Sequence, residues 1–147
     1  MADRDNEFDD ANFVFETVMR VRNTEIGIGQ HLTIEAMVSL LTEARARFLY
    51  SKGIKEINVD YQGLIITNVA TNFSSRVRAR EELLFEVGVQ NLTATGGDFI
   101  FKISRMFDSS VVAHAVMGFV AYDYRLNKEI LLNETLRDLL EVKPFEL

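Results

Sequence analysis

The chain has 147 residues, a formal net charge of −6, one proline, two histidines, and neither cysteine nor tryptophan. A chain of this length can bury on the order of 70% of its unfolded surface without covalent staples. The absence of cysteine excludes disulfides, thiolate metal sites and a cysteine nucleophile. Two histidines are too few for a histidine-based centre, so no metal is expected. The acidic balance argues against nucleic-acid or anionic-membrane partners, while leaving room for a local basic patch that holds a phosphorylated ligand. With no repeat and no Ser/Gly/Pro-rich joint, residues 1–147 read as one domain.

The N-terminus, MADRDNEFDD, lacks the apolar core of a signal peptide, and no apolar run approaches membrane-spanning length. A cytoplasmic location is expected, with residues 1–10 disordered. From Asn12 to Arg22, Phe13, Phe15, Thr17, Met19 and Val21 alternate with a mixed face, which predicts a half-buried first strand. The segment NTEIGIGQHL follows, with Gly27 and Gly29 giving backbone freedom just before a helix.

That helix, residues 33 to 53, is the one long helix predicted. Ile34, Met37, Val38, Leu41, Ala44 and Phe48 recur at helical spacing, and Leu40 and Leu49 widen the apolar arc. So broad an arc calls for a sheet curved around the helix. Thr33 is the expected N-cap, Glu35 sits in the first turn, and Lys52-Gly53 is the stop.

After a connector over residues 55–62, strands are predicted over 64–73, 82–93, 98–106 and 111–124, with Gly96-Gly97 and Asp108-Ser109-Ser110 as turns. The last strand is apolar or small on both faces, which predicts a central strand and an outer sheet face covered by another subunit. His114 in that strand reads as a core histidine. Asn133 caps a short helix ending before Pro144. The class is α+β, with a mainly antiparallel five-stranded sheet around one central helix.

Three features could carry chemistry. The start of the long helix offers unpaired N–H groups to an anion or a developing oxyanion, and Glu25 and His31 flank the adjoining glycines as general-base or nucleophile candidates. The alternative is an ordinary turn with a solvated glutamate. Arg76, Arg78 and Arg80 would share one face of an extended segment as a row suited to phosphates, or as the charged guard of an edge strand. His114 is the third, and the core reading outweighs the catalytic one.

The chain resembles the hotdog-fold acyl-CoA thioesterases of the 4-hydroxybenzoyl-CoA type. The likeness spans residues 12 to 142. It rests on Glu25, Gly29, His31, Glu43, Ala44, Arg45, Phe48 and Leu49, then on NFSSRVRAREELLFEVGV and SSVVAHAVMGFVAYDYRLNKEILLNETLRDLL. The family's Asp-x-Asp pattern is missing: a gapless alignment puts Glu25 at the first acidic position and Gly27 at the second, whereas a one-residue insertion puts Glu25 at the second.

The resemblance implies a hydrolase acting on acyl-CoA or an acyl-carrier thioester, with no cofactor beyond the coenzyme A of the substrate. Glu25 and His31 would be catalytic, with Glu25 activating water or attacking the carbonyl and His31 orienting substrate. Gly29, Gln30, Leu32 and Glu35 would surround the oxyanion and substrate, and Arg76, Arg78 and Arg80 would hold the CoA phosphates. It also implies a homodimer or homotetramer. The alternative is a non-catalytic hotdog protein that binds the thioester or serves as an assembly subunit.

Overall fold

The computed structural model describes residues 10–141. The expectations for residues 1–9 and for Pro144 fall outside that range. Elements run β1 (Phe13–Arg20), α1 (Ile34–Ser51), β2 (Gln62–Phe73), β3 (Glu82–Gln90), β4 (Gly96–Arg105), β5 (Val111–Asp123), β6 (Lys128–Glu129) and α2 (Glu134–Leu140). The sheet order is β1-β3-β4-β5-β2, every pairing is antiparallel, and β6 adds a two-residue ladder to the end of β5. The expected five strands are therefore all present, and β6 is an addition that alternation could not reveal.

α1 forms where the periodicity placed it. The Thr33 hydroxyl accepts from the Ala36 N–H at 3.2 Å, and Gly53 ends the helix at φ +71°, a left-handed conformation that glycine adopts without strain. Met37, Leu41, Ala44 and Phe48 are fully buried against the concave face of the sheet, with Leu40 and Leu49 on the flanks. Phe48 packs between Phe15 and Phe99, at centroid distances of 5.7 and 6.3 Å. Facing them, Leu83, Phe85, Val87, Phe101 and Ile103 supply the inward residues of β3 and β4.

Several expectations need correction. Ile34 is 55% exposed: it lies at the open mouth beside α1, away from the core. Gly96 and Gly97 are strand residues and make no turn. A Cβ on Gly96 would sit 2.0 Å from the Phe119 carbonyl oxygen, so glycine is required there by close backbone approach. The reversal falls to residues 91–95, where Asn91 is left-handed and the Thr93 hydroxyl accepts from Gly96 N–H. His114 lies on the outer sheet face opposite Asn72 and Lys102 and is only half-buried, so it is not a core residue. Residues 74–81 form a loop, because β2 ends at Phe73 and Val77 plugs into the core.

Candidate functional site

At the end of the sheet where β1 and β2 finish and β3 begins, two loops face one another. The first, residues 21–33, is built around Glu25, which is 7% exposed. Its Oε1 accepts the Arg22 backbone N–H at 2.7 Å, and its Oε2 accepts from the Arg22 guanidinium at 2.7 and 3.1 Å. Burial pushes this carboxyl up, but the Arg22 side-chain and backbone hydrogen bonds outweigh it and hold the group below the usual glutamate range.

Beyond Glu25 the chain folds back as a tight loop. Gly27 N–H donates to His31 O, Gln30 N–H donates to Gly27 O, and Gln30 is left-handed at φ 64°. His31 Nδ1 lies 3.2 Å from the Gly29 carbonyl oxygen. A carbonyl can only accept, so Nδ1 is the donor in this contact, and the tautomer that makes it has Nε2 as its acceptor. Gly29 must be glycine for this: a Cβ there would meet the imidazole Cε1 at 2.7 Å.

The second loop, residues 74–81, is tied to the first by the Leu32 N–H, which donates to Val77 O at 2.7 Å. Arg105, at the end of β4, clamps its other side. The guanidinium donates to Glu81 Oε1 at 2.7 Å, Ser75 Oγ at 3.1 Å, Ser110 Oγ at 3.2 Å and the Arg76 carbonyl. Burial pushes the Glu81 carboxyl up, yet the Arg78 N–H and the Arg105 guanidinium hold it below its ordinary value.

Between the loops lies a cleft of about 830 Å³, walled by Gly27, Gly29, Gln30 and His31 on one side and by Arg76, Arg78 and Arg105 on the other. A second cleft of about 400 Å³ opens at the start of α1, against Leu32, Ile34 and Phe73. His31 and Arg76 line both, so they stand at the partition. The polar cleft suits phosphates, and the apolar one suits an acyl group beside a helix N-terminus.

The structure thus brings together Gly29, Gln30, His31, Arg76 and Arg78. It does not bring in Glu25, the expected general base or nucleophile, which lines neither cleft and whose two oxygens both accept from Arg22. The Gln30 and Leu32 N–H groups are occupied within the backbone and cannot donate to an oxyanion. Those of Gly29, His31, Ile34 and Glu35 have no partner among the described residues. Leu32 serves as an apolar wall instead, and the Glu35 side chain is exposed. Arg80 leaves the row, because its left-handed backbone (φ 73°) turns it toward the β4–β5 turn. Sequence reasoning missed Arg105: its importance comes from Ser75, Glu81 and Ser110, partners scattered along the chain that no local pattern links.

Among the described residues no group of three or more His, Asp or Glu side chains could hold a metal, and no helix is long and apolar enough to cross a membrane. Solved structures share the fold, among them the following three. A 1,4-dihydroxy-2-naphthoyl-CoA thioesterase from Synechocystis is 16% identical at TM-score 0.78, covering 86% of this chain and 94% of that one. YbaW from Escherichia coli is 23% identical at TM-score 0.75, covering 88% and 100%. A Staphylococcus aureus protein solved in complex with CoA is 12% identical at TM-score 0.79, covering 90% and 87%. No curated protein matches the chain. The model of the thioesterase-like superfamily matches residues 21–144, and with the hotdog sheet and helix in place the chain belongs to that superfamily, as an enzyme of the thioester-hydrolase class.

Proposed function

We propose that this hydrolase cleaves acyl-CoA thioesters in the cytoplasm, with the thioester carbonyl lodged at the start of α1 and His31 as the general base. The observation that carries this reading is the His31 Nδ1 contact to the Gly29 carbonyl, which leaves Nε2 as the acceptor where the two clefts meet. Water passes a proton to Nε2 as its oxygen bonds to the carbonyl carbon. The carbonyl π pair moves to oxygen, where the unengaged N–H groups of Ile34 and Glu35, or of Gly29 and His31, can receive it. Collapse of this adduct breaks the C–S bond, and the departing thiolate takes the proton back from Nε2. The products are a free acid and coenzyme A. Water is the only co-reactant, so the chemistry calls for no cofactor beyond the coenzyme A of the substrate. Arg76 and Arg78 supply the charge for its phosphates.

One observation favours the second reading, a protein that binds the thioester without cleaving it: no carboxylate lines either cleft among the described residues. Thiol release over a panel of acyl-CoAs separates the two. His31→Gln is expected to lower kcat by about 10²–10⁴ with KM little changed. Full activity in that variant would overturn the role of His31, and no thiol release by the unaltered chain would favour the binder.

The proposal extends to a homodimer or homotetramer. Its support is β2, a twelve-residue strand whose ladder among the described residues is with β5; past the isolated Ile57–Gly63 bridge its other edge has no strand partner there, and Val69 is 39% exposed.

A further inference from the structure

A separate pocket of about 380 Å³ opens at the other end of α1, between the connector that follows Gly53, the start of β2 and α2. α1 has 18 residues, so at ~1.5 Å per residue this pocket is about 27 Å along the helix from the cleft at its start. Ile54, Leu64, Ile130, Leu131, Leu136 and Leu139 form its apolar lining, and Leu131 is 71% exposed. The polar lining is weighted toward donors. Lys55, Asn58, Asn133 and Thr135 contribute to it and no carboxylate does, although the chain carries 22 Asp and Glu. Asn58 Oδ1 accepts from the Asp60 and Gln62 N–H groups at 2.8 and 3.0 Å, and Asn133 Oδ1 from the Leu136 N–H at 2.7 Å. The oxygens are therefore spent, and each amide NH2 has no acceptor among the described residues. Neither the Lys55 ammonium nor the Thr135 hydroxyl has a partner there. Gln62 differs, since its NH2 donates to Asp123 at 3.3 Å. The negative end of α1 is largely covered, because the Phe48, Leu49 and Tyr50 carbonyls accept from the Lys52, Ile54 and Gly53 N–H groups. What remains is an apolar floor beside unspent donors and one uncountered cation.

We propose that this pocket binds a free fatty acid, with its chain against the leucines and isoleucines and its carboxylate against Lys55 and the Asn58 and Asn133 amides. A concave, mainly apolar lining with a few polar groups is the usual form of a small-molecule site. Donors left without acceptors beside it select an anion over a neutral head. One cation matches one carboxylate, whereas a phosphomonoester would bring a second negative charge that nothing in the lining counters. The inference goes beyond the thioester reading, and the site does not depend on it. On that reading the acid released at the start of α1 is of the same chemical class, so the pocket would hold product remote from the chemistry.

Calorimetric titration of the full chain with octanoate, decanoate, dodecanoate and tetradecanoate tests this, with dodecanol as the uncharged control and Lys55→Gln and Leu139→Trp as variants. Each added methylene is expected to tighten binding about fourfold until the pocket is filled. Lys55 is exposed and unpaired, so Lys55→Gln should fold as the parent does. It is expected to weaken dodecanoate binding about fivefold and leave dodecanol unchanged. Leu139→Trp, which fills the pocket, should weaken both. Dodecanoate bound equally by the parent and both variants would place the acid elsewhere, in the cleft at the start of α1, and overturn the site. So would a Lys55→Gln chain that loses acid and alcohol alike, or a parent that binds no acid of the series. A parent that releases thiol from acyl-CoA but fails these titrations loses this site and keeps the thioester reading. One that binds as expected without releasing thiol does the opposite.

Discussion

Replacing Glu25 separates bracing from catalysis more sharply than any other single change. Glu25→Ala removes the oxygen that accepts the Arg22 N–H inside a nearly closed turn, together with the hydrogen bonds from the Arg22 guanidinium. The guanidinium side is largely solvent-exposed and adds little. The part-buried bond from the Arg22 N–H is lost as a cap is lost, at a cost of about 1 kcal/mol. At this chain length that corresponds to a fall in Tm of roughly 2–4 °C by circular dichroism. Glu25→Gln keeps an acceptor for the N–H, so most of that loss should be recovered and kcat should change less than about tenfold. The folded-state pKa of Glu25 is depressed below its ordinary 4.5. Its contribution is therefore present above that value and lost as pH falls through the folded one, so Glu25→Gln should flatten the acid limb of the stability curve, its deficit showing at neutral pH and vanishing below the folded value. If Glu25→Gln instead lowered kcat a hundredfold with Tm unchanged, while His31→Gln retained activity, the bracing argument would be refuted and the carboxylate would return as the catalytic group.

Arg105→Met should release loop 74–81 from the β4–β5 turn and leave Glu81 with only its Arg78 N–H partner; the expected result is a severalfold weaker affinity for coenzyme A, with faster proteolysis confined to that loop. A mutant as tight and as resistant as the parent would show that Val77 alone holds the loop. Sedimentation equilibrium at micromolar concentration should give a mass of at least twice the 16.8 kDa of one chain, and a monomer would remove the bare β2 edge as support for assembly.

The sequence by itself determined the elements whose signals are periodic or local. The helix from Thr33 to Gly53 could be read because each turn repeats the same face, and its cap and its left-handed stop are short-range chemistry. The alternation of Leu83, Phe85, Val87 and Val89 fixed the inward face of β3 in the same way. At the site, the loop around Gly29 and His31 was marked by two glycines preceding a helix start, and Arg76 and Arg78 by their charge.

Tertiary structure decided everything that depends on which groups meet across the chain. Whether Glu25 is a base or a brace turns on the conformation of residues 22–25, since the same carboxylate aimed into the cleft would have other chemistry. Three alternating arginines look like one row only if the backbone is extended. The plugging of Val77 and the left-handed Arg80 break that row, leaving two in the polar cleft and sending one to Phe107. The glycine pair in β4 looked like a turn because sequence cannot display the Phe119 carbonyl that excludes a side chain there. A residue's type and spacing fix what it can do, but the partner the fold brings to it decides which of those things it does, whether that partner is a near neighbour, as Arg22 is to Glu25, or distant along the chain, as Ser75 and Glu81 are from Arg105.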